Sequence, residues 1–259
     1  MATSTDPQLE SSSPVASRQR LIVALDVSNA TEARRIVSAL GDAVSVYKVG
    51  MQLYTAEGPQ VVRDLVQSGK RVFLDLKYHD IPNTVASAVR EAGRLGVSML
   101  TVHAAGGQKM LQAAAEAARA YHAGGESGTL VRRGPQILAV TVLTSMDEAA
   151  LNGTGVPGTV LDQVVRLASM ALDAGCAGVV SSAQEVKAVR AKLGNEFLAV
   201  TPGVRPVGAE HGDQARVVTP AEAIAAGATH MVVGRPITAA ANPAKAAAEI
   251  LQEIARAST

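Results

Sequence analysis

The sequence predicts a single-domain (β/α)8 TIM barrel, an α/β fold in which eight parallel strands alternate with helices. Eight short β-branched runs recur along the 259 residues, and helical segments rich in Ala lie between them. The first run, Leu-Ile-Val-Ala-Leu at 21–25, is continuously apolar, as expected of a parallel strand that is buried on both faces. Eight such units with short connections favour a barrel.

A doubly wound open sheet is the alternative that the same alternation allows. Such a sheet is usually smaller, or carries a glycine-rich dinucleotide fingerprint after its first strand. Here Asp26-Val27-Ser28-Asn29 follows the first apolar run and contains no glycine. The barrel is therefore favoured.

The predicted strands are short runs rich in Val, Ile and Leu. They cover residues 21–27, 44–49, 71–76, 97–103, 136–142, 178–181, 197–200 and 230–233. In a barrel their carboxyl ends meet at one face, the mouth, where the active sites of barrel enzymes lie.

Capping residues and glycines mark the ends of the predicted helices. Asn29 precedes the first helix and Gly41 ends it. Thr219 followed by proline starts another helix, which Gly227 ends. The remaining predicted helices cover residues 55–67, 82–95, 109–122, 159–174, 183–193 and 243 to about 255.

The chain is interpreted as a leader followed by one catalytic domain. Residues 1–20 are rich in Ser and lack the apolar segment of a secretion signal, so we expect a disordered leader. The barrel domain is expected to span residues 21–259. Two longer irregular stretches are predicted: 123–135 on the face opposite the mouth, and 144–158 as a candidate lid at the mouth.

Composition excludes several classes of function. Lys and Arg total 24 against 23 Asp and Glu, so the net charge of +1 offers no basic surface to nucleic acid or to a membrane. With no Trp and only two Phe, platforms for stacking bases are almost excluded. No apolar run reaches transmembrane length. The single cysteine, Cys176, fits a reducing compartment, and a cytoplasmic protein is expected.

The third predicted strand carries charges that a buried strand normally lacks. Asp75 and Lys77 are two residues apart and therefore face the same side of the sheet. Asp80 lies just beyond them, and Lys48 ends the second strand. These four charges could form a catalytic cluster, a structural ion-pair network, or a divalent metal site held by Asp75 and Asp80. The two lysines argue against a metal because their ammonium groups would occupy the positions of the cation.

Polar side chains end other strands as well. They are Asp26 after strand 1, His103 after strand 4, Thr144 and Ser145 after strand 5, and Ser181 and Ser182 after strand 6. His103 is a candidate general base, or else a histidine held by hydrogen bonds near the mouth. Thr144 suits hydrogen bonding to a polar ring.

Strands 7 and 8 lead into segments that suit an anion. Arg205 follows a Pro-Gly pair, and Arg235 follows Gly234 directly. Backbone N–H groups at such glycines, together with a guanidinium, bind phosphate, and in barrels the loops after these two strands are the usual place. Gln214 could add an amide donor. A phosphorylated small molecule is therefore the expected substrate, with solvated surface arginines as the alternative.

These motifs together resemble the orotidine 5′-phosphate decarboxylase family. The matching motifs occur in order over roughly residues 21 to 238. They are Leu25-Asp26, Tyr47-Lys48-Val49-Gly50, Leu74-Asp75-Leu76-Lys77-Tyr78-His79-Asp80-Ile81-Pro82-Asn83-Thr84, Thr141-Val142-Leu143-Thr144-Ser145, Thr201-Pro202-Gly203-Val204-Arg205-Pro206 and Val233-Gly234-Arg235-Pro236-Ile237-Thr238. The Asp-x-Lys-x-x-Asp core is shared with metal-dependent phosphosugar decarboxylases and aldolase-like lyases, which carry an acidic residue in place of Lys48.

The resemblance implies decarboxylation of orotidine 5′-phosphate to uridine 5′-phosphate, the last step of de novo pyrimidine synthesis. It implies a homodimer that uses no metal and no cofactor. Lys77 would protonate C6 of the pyrimidine, Asp75 would lie beside the departing carboxylate, and Lys48 and Asp80 would complete the catalytic array. A metal-dependent phosphosugar lyase and a non-catalytic phosphate-binding barrel are the alternatives.

The resemblance also implies which residues bind the substrate. They are Asp26, Lys48, Asp75, Leu76, Lys77, Tyr78, His79, Asp80, Ile81, Pro82, Asn83, Thr84, Thr144, Arg205, Gln214, Gly234 and Arg235. Asp26 would bind the ribose hydroxyls and Thr144 the pyrimidine. The phosphate would be held by Gln214, Gly234 and Arg235. The segment from Asp80 to Thr84 would reach the site of the neighbouring subunit through Asp80, Ile81 and Thr84.

Overall fold

Eight parallel strands close into a barrel in the computed structural model, which describes residues 16–123, 132–206 and 218–258. In chain order they are β1 (Leu21–Ala24), β2 (Val46–Gly50), β3 (Arg71–Tyr78), β4 (Met99–His103), β5 (Gln136–Val140), β6 (Gly178–Val180), β7 (Leu198–Thr201) and β8 (His230–Val233). Each strand pairs with the next one in this order, and β8 pairs with β1. The predicted fold class is confirmed, and every predicted strand is present with small shifts at its ends.

Helices connect the strands and cover the outside of the barrel. In chain order they are α1 (Ala16–Arg20), α2 (Ala30–Leu40), α3 (Met51–Glu57), α4 (Gln60–Gln67), α5 (Pro82–Leu95), α6 (Gln108–Ala120), α7 (Glu148–Gly153), α8 (Val160–Asp173), α9 (Ala183–Leu193), α10 (Pro220–Ala225), α11 (Arg235–Thr238) and α12 (Pro243–Ala257). Within the described ranges, no helix is both long enough and apolar enough to cross a membrane.

The hydrophobic core has two layers because successive side chains of a strand point to opposite faces. The inner layer fills the barrel with Ile22, Ala24, Val46, Phe73, Met99, Leu138, Val200 and Val232. The outer layer joins the other strand faces to the buried sides of the helices. This double burial explains the continuous apolar runs in the sequence. Cys176 belongs to the outer layer, and burial raises the pKa of its thiol to about 12.

Side chains cap the first turn of several helices that begin near the mouth of the barrel. Asn29 accepts a hydrogen bond from the N–H of Glu32 at the start of α2. Thr219 and Glu222 form a reciprocal capping box at α10, and a second such box starts α9. The Asn29 and Thr219 caps that the sequence predicts are thus confirmed.

One predicted helix is divided into two, and one stretch predicted to be irregular contains a helix. The single helix expected at 55–67 is split into α3 and α4, because Gly58 has a φ of 63° and Pro59 lacks the N–H that a continuous helix needs. The irregular stretch expected at 144–158 contains α7, whose start is capped by Asp147. The candidate lid is therefore partly helical.

The boundary of the expected leader also shifts. Ala16–Arg20 forms α1, and the Arg20 guanidinium donates a hydrogen bond to Ser258 Oγ next to the end of α12. Residues 1–15 lie outside the described part of the chain, as do residues 124–131 of the stretch expected to be irregular. On either side of the second gap, His122–Ala123 and Arg132–Arg133 pair as a two-stranded antiparallel sheet.

The start of β6 lies so close to β7 that only glycine fits at position 178. A Cβ atom on Gly178 would lie 2.0 Å from the carbonyl oxygen of Leu198. We therefore expect Gly178→Ala to lower the free energy of unfolding by about 1 to 3 kcal/mol, the usual range for overpacking. Urea denaturation followed by circular dichroism measures this change. The control is Gly153→Ala, since a Cβ there meets no atom within 4 Å; equal stability of the two variants would contradict the close contact.

Candidate active site

A cavity of about 450 Å³ opens at the mouth of the barrel. Of the residues predicted to form the site, those that line it are Asp26, Lys48, Asp75, Lys77, Thr144, Arg205, Gly234 and Arg235. Ser181 lines it too, whereas Ser182 caps α9. Polar groups that were predicted from the ends of separate strands therefore meet in one place.

Four side chains form a charged cluster at one end of the lining: Asp26, Lys48, Asp75 and Lys77. The Lys48 ammonium lies 2.7 Å from Asp26 Oδ1 and 3.8 Å from Asp75 Oδ2. The Lys77 ammonium lies 3.0 Å from Asp75 Oδ1. The cluster is neutral in sum, which offsets the free energy of holding charges at the end of an apolar barrel. The Lys48–Asp26 ion pair is shorter than the Lys48–Asp75 pair, and no local sequence pattern predicts it.

A glycine at the end of β2 makes room for this cluster. A Cβ atom on Gly50 would lie 2.8 Å from Lys48 Nζ and 3.1 Å from Asp26 Oδ1. A side chain at this position would force the Lys48 ammonium to shift from its place in the ion pair. This is the physical reason for the glycine in the Tyr47-Lys48-Val49-Gly50 motif.

Lys77 has an uncommon backbone conformation. Its φ of 52° lies in the left-handed region, and it is the one non-glycine residue of the described chain with a positive φ. A non-glycine residue in this region costs roughly 1 to 2 kcal/mol. Beside it the pairing of β3 with β4 is irregular: Leu74 pairs with Leu100, but Tyr78 pairs with Val102. The proton donor proposed below thus stands on a bulge of its strand.

A threonine that sequence reasoning missed supports this bulge. Thr101 on β4 is fully buried, and its Oγ1 accepts a hydrogen bond from the Lys77 N–H at 2.9 Å. The same hydroxyl lies 2.9 Å from Asp75 Oδ1, to which it donates. Only its inward-facing position on a strand next to the charged strand could have suggested this contact.

Two arginines line the cavity near the ends of β7 and β8. Arg205 is only 8% exposed, and its buried Nε has no hydrogen-bond partner among the residues that the structure describes. Burial, together with the nearby Arg235 guanidinium, lowers the pKa of Arg205. A buried donor facing a second positive charge is an arrangement that an anion would stabilise. Gln214, expected to join them, lies outside the described residues.

Several residues predicted to bind substrate do not line the cavity of their own chain. Leu76 and Tyr78 alternate with Asp75 and Lys77 along β3, so they point outward and pack against the outer core. Burial raises the pKa of Tyr78 to about 12. The following residues, His79, Asp80, Ile81, Pro82, Asn83 and Thr84, are all exposed and also lie outside the lining.

Asp80 is therefore separate from the charged cluster within one chain. Its Oδ1 accepts a hydrogen bond from the N–H of Ile81 at 2.6 Å, and Ile81 is 67% exposed at the start of α5. Of the four charges that alternate along the sequence, three come together here. The fourth position in the cluster is taken by Asp26.

His103 does not reach the cavity. Its ring stacks on His79 with 5.4 Å between centroids, and its Nδ1 accepts a hydrogen bond from the N–H of Ala105. Burial lowers the pKa of His103, and the nearby His79 and Lys77 lower it further. The interpretation as a histidine held by hydrogen bonds is favoured over that of a general base.

The arrangement of acidic side chains bears on the alternative of a metal site. Asp75 and Asp80 were its candidate ligands, but Asp80 does not share the cavity with Asp75. Across the described ranges, no three His, Cys, Asp or Glu residues are grouped so that they could hold a metal ion. In the cavity each aspartate instead faces an ammonium group.

Comparisons with known proteins identify the family of the chain. A family model described as orotidine 5′-phosphate decarboxylase / HUMPS family matches residues 19–250. A protein from Moorella thermoacetica named orotidine 5′-phosphate decarboxylase is 51% identical over 238 residues, which are 92% of each chain. One of the same name from Halorhodospira halophila is 52% identical over 92% of this chain and 97% of its own.

A solved structure of similar sequence has the same fold. The crystal structure of orotidine 5′-phosphate decarboxylase from Lactobacillus acidophilus superposes with a TM-score of 0.79 at 40% identity, over 90% of this chain and 98% of that one. Sequence and fold therefore agree over nearly the whole length of both proteins. The chain belongs to the orotidine 5′-phosphate decarboxylase / HUMPS family.

Proposed function

We propose that this chain decarboxylates orotidine 5′-phosphate to uridine 5′-phosphate, the last step of de novo pyrimidine synthesis, as a cytoplasmic enzyme. The observation that carries the proposal is the position of the Lys77 ammonium, which lies 3.0 Å from Asp75 in a cavity that Arg205 and Arg235 also line. A fixed proton donor and an anion-binding end are what this substrate requires. Family membership and the names of the relatives support the same reaction.

The chemistry is the replacement of a carboxylate by a proton at C6 of the pyrimidine. The bond between C6 and the carboxylate breaks, CO₂ leaves, and the electron pair stays on C6. Lys77 Nζ then gives its proton to C6. An ammonium group held in place by a carboxylate stabilises the developing negative charge with little reorganisation, as preorganised electrostatic catalysis requires.

The other members of the charged cluster hold this donor and the substrate. Asp75 orients Lys77 and lies beside the departing carboxylate. Lys48 lies between Asp26 and Asp75 and keeps both aspartates in place. Asp26, at the rim with 55% of its side chain exposed, is the group available to the ribose hydroxyls, and Thr144 is available to the pyrimidine.

The arginine end of the cavity would bind the phosphate of the substrate. The buried guanidinium of Arg205 and that of Arg235 supply positive charge, and Gly234 leaves the backbone accessible. Gln214 would add its amide. Phosphate binding far from the breaking bond can organise the charged cluster, so that its free energy is used in the transition state.

Asp80 would complete the site of a neighbouring subunit in a homodimer, together with Ile81 and Thr84. Its exposed position outside its own cavity supports this assignment. Exposed apolar side chains at the mouth, among them Met51 at 56% and Ile81 at 67%, favour association of this face.

The effect of a chelator separates this function from a metal-dependent lyase on the same barrel. Because Lys48 and Lys77 supply the positive charge, the purified protein should convert orotidine 5′-phosphate to uridine 5′-phosphate at the same rate with and without EDTA. The loss of orotidine 5′-phosphate absorbance measures the rate. Inactivation by EDTA that divalent metal reverses would favour the metal-dependent lyase. Binding of uridine 5′-phosphate without turnover of its precursor would favour a non-catalytic barrel.

Removal of the Arg235 guanidinium tests the proposed phosphate site. Arg235→Ala should lower kcat/KM for orotidine 5′-phosphate by about 10- to 100-fold, the effect of losing a hydrogen bond to a charged group. Orotidine has no phosphate, so its much slower turnover should change little in this variant. Arg34→Ala is the control, since Arg34 is exposed and pairs with Asp64 on the outside of the barrel. Equal losses for both substrates would remove Arg235 from the phosphate site.

Mixed dimers of two inactive variants test the shared site. Lys77→Ala removes the proton donor and Asp80→Asn removes the charge given to the partner, so each variant alone should be inactive while still folded. Mixed dimers contain one site with both native residues, and random mixing should restore about a quarter of native activity. Subunit exchange is verified with labelled chains. No recovery after verified exchange would mean that Asp80 acts in its own subunit.

A further inference from the structure

We infer that Thr101 is a positioning residue for the reaction: its one hydroxyl holds the backbone of Lys77 and the carboxylate of Asp75 at the same time. Thr101 is 0% exposed and does not line the cavity, so it acts only through the two residues that do. The inference rests on the proposed function for the role of Lys77. The contacts of Thr101 are independent of that role.

The irregular pairing of β3 and β4 explains why a side chain is needed here. Between their paired residues, β3 advances four positions, from Leu74 to Tyr78, while β4 advances two, from Leu100 to Val102. The bulged residues therefore lack the backbone hydrogen bonds of regular strand pairing. Thr101 stands opposite the bulge, and its Oγ1 replaces the missing backbone acceptor for the Lys77 N–H.

The direction of the Thr101 hydroxyl proton follows from this contact. A hydroxyl has one proton and two acceptor positions. One acceptor position receives the Lys77 N–H, and the proton is donated to Asp75 Oδ1 at 2.9 Å. The same Oδ1 accepts from Lys77 Nζ at 3.0 Å. Lys77, Thr101 and Asp75 therefore form a closed ring that links the strained backbone of the donor to its own ammonium group.

A buried threonine that only joins two strands is the alternative, and the chain provides a matched example. Thr141, just after β5, is 1% exposed, and its hydroxyl donates to the carbonyl oxygen of Val180 at 3.1 Å. Neither residue belongs to the charged cluster. Thr141→Val thus removes a buried threonine hydroxyl and its hydrogen bond while leaving the ring around Lys77 intact.

We predict that Thr101→Val lowers kcat rather than affinity. Valine keeps the shape of threonine but leaves the Lys77 N–H without an acceptor and takes a donor from Asp75. We expect kcat to fall by about 10- to 100-fold, as for other small misplacements of catalytic groups. The dissociation constant for uridine 5′-phosphate should stay close to that of the parent protein. Thr101→Ser, which keeps the hydroxyl, should recover most of the turnover, and Thr141→Val should keep it.

A structural measurement decides the inference independently of turnover. In crystals of Thr101→Val, Lys77 should leave the left-handed region, or its ammonium should separate from Asp75. An unchanged φ together with an unchanged ion pair would overturn the inference, and so would a kcat equal to that of Thr141→Val. If the valine variant does not fold, Thr101→Ala allows the same comparison. A parent protein that does not convert orotidine 5′-phosphate would refute the proposed function instead, and the crystals would still decide the role of Thr101.

Discussion

The carboxylate of Asp75 is the group on which the rest of the site depends. Its Oδ1 accepts hydrogen bonds from the Lys77 ammonium and the Thr101 hydroxyl, and its Oδ2 faces the Lys48 ammonium. Without this carboxylate, two positive charges would face each other at the end of an apolar barrel, which is unfavourable. The alternation of charge is therefore needed for the folded state as well as for the proposed reaction.

The barrel holds these groups along one continuous arc of neighbouring strands. Arg205 and Arg235 follow β7 and β8, and the charged cluster continues through β1, β2 and β3 to Thr101 on β4. Adjacent strands are hydrogen-bonded in fixed register, so the spacing of the side chains is set by the backbone rather than by flexible loops. Closure of the ring between β8 and β1 is what places the arginine end next to Asp26.

Sequence reasoning predicts the fold and most of the cavity because both depend on local patterns. Apolar runs define the strands, and a charge at the end of such a run identifies the mouth. Sequence reasoning did not find the contacts of Thr101 or the Asp26–Lys48 ion pair, since each depends on the register between two strands. The left-handed φ of Lys77 also has no local signal, because a lysine there is held by contacts with β4. By contrast, the alternation that puts Asp75 and Lys77 on one face of β3 already indicates that Leu76 and Tyr78 face away from the cavity.

The backbone at Lys77 has a consequence for how this protein can evolve. Glycine adopts a left-handed φ without strain, so a glycine at position 77 would suit the backbone better than the lysine does. Selection for stability alone would therefore act against the residue that the proposed chemistry needs. The site illustrates a trade-off between stability and activity, localised in a single peptide unit. Attempts to make the protein more heat-resistant should leave this strained residue in place and strengthen the outer helices instead.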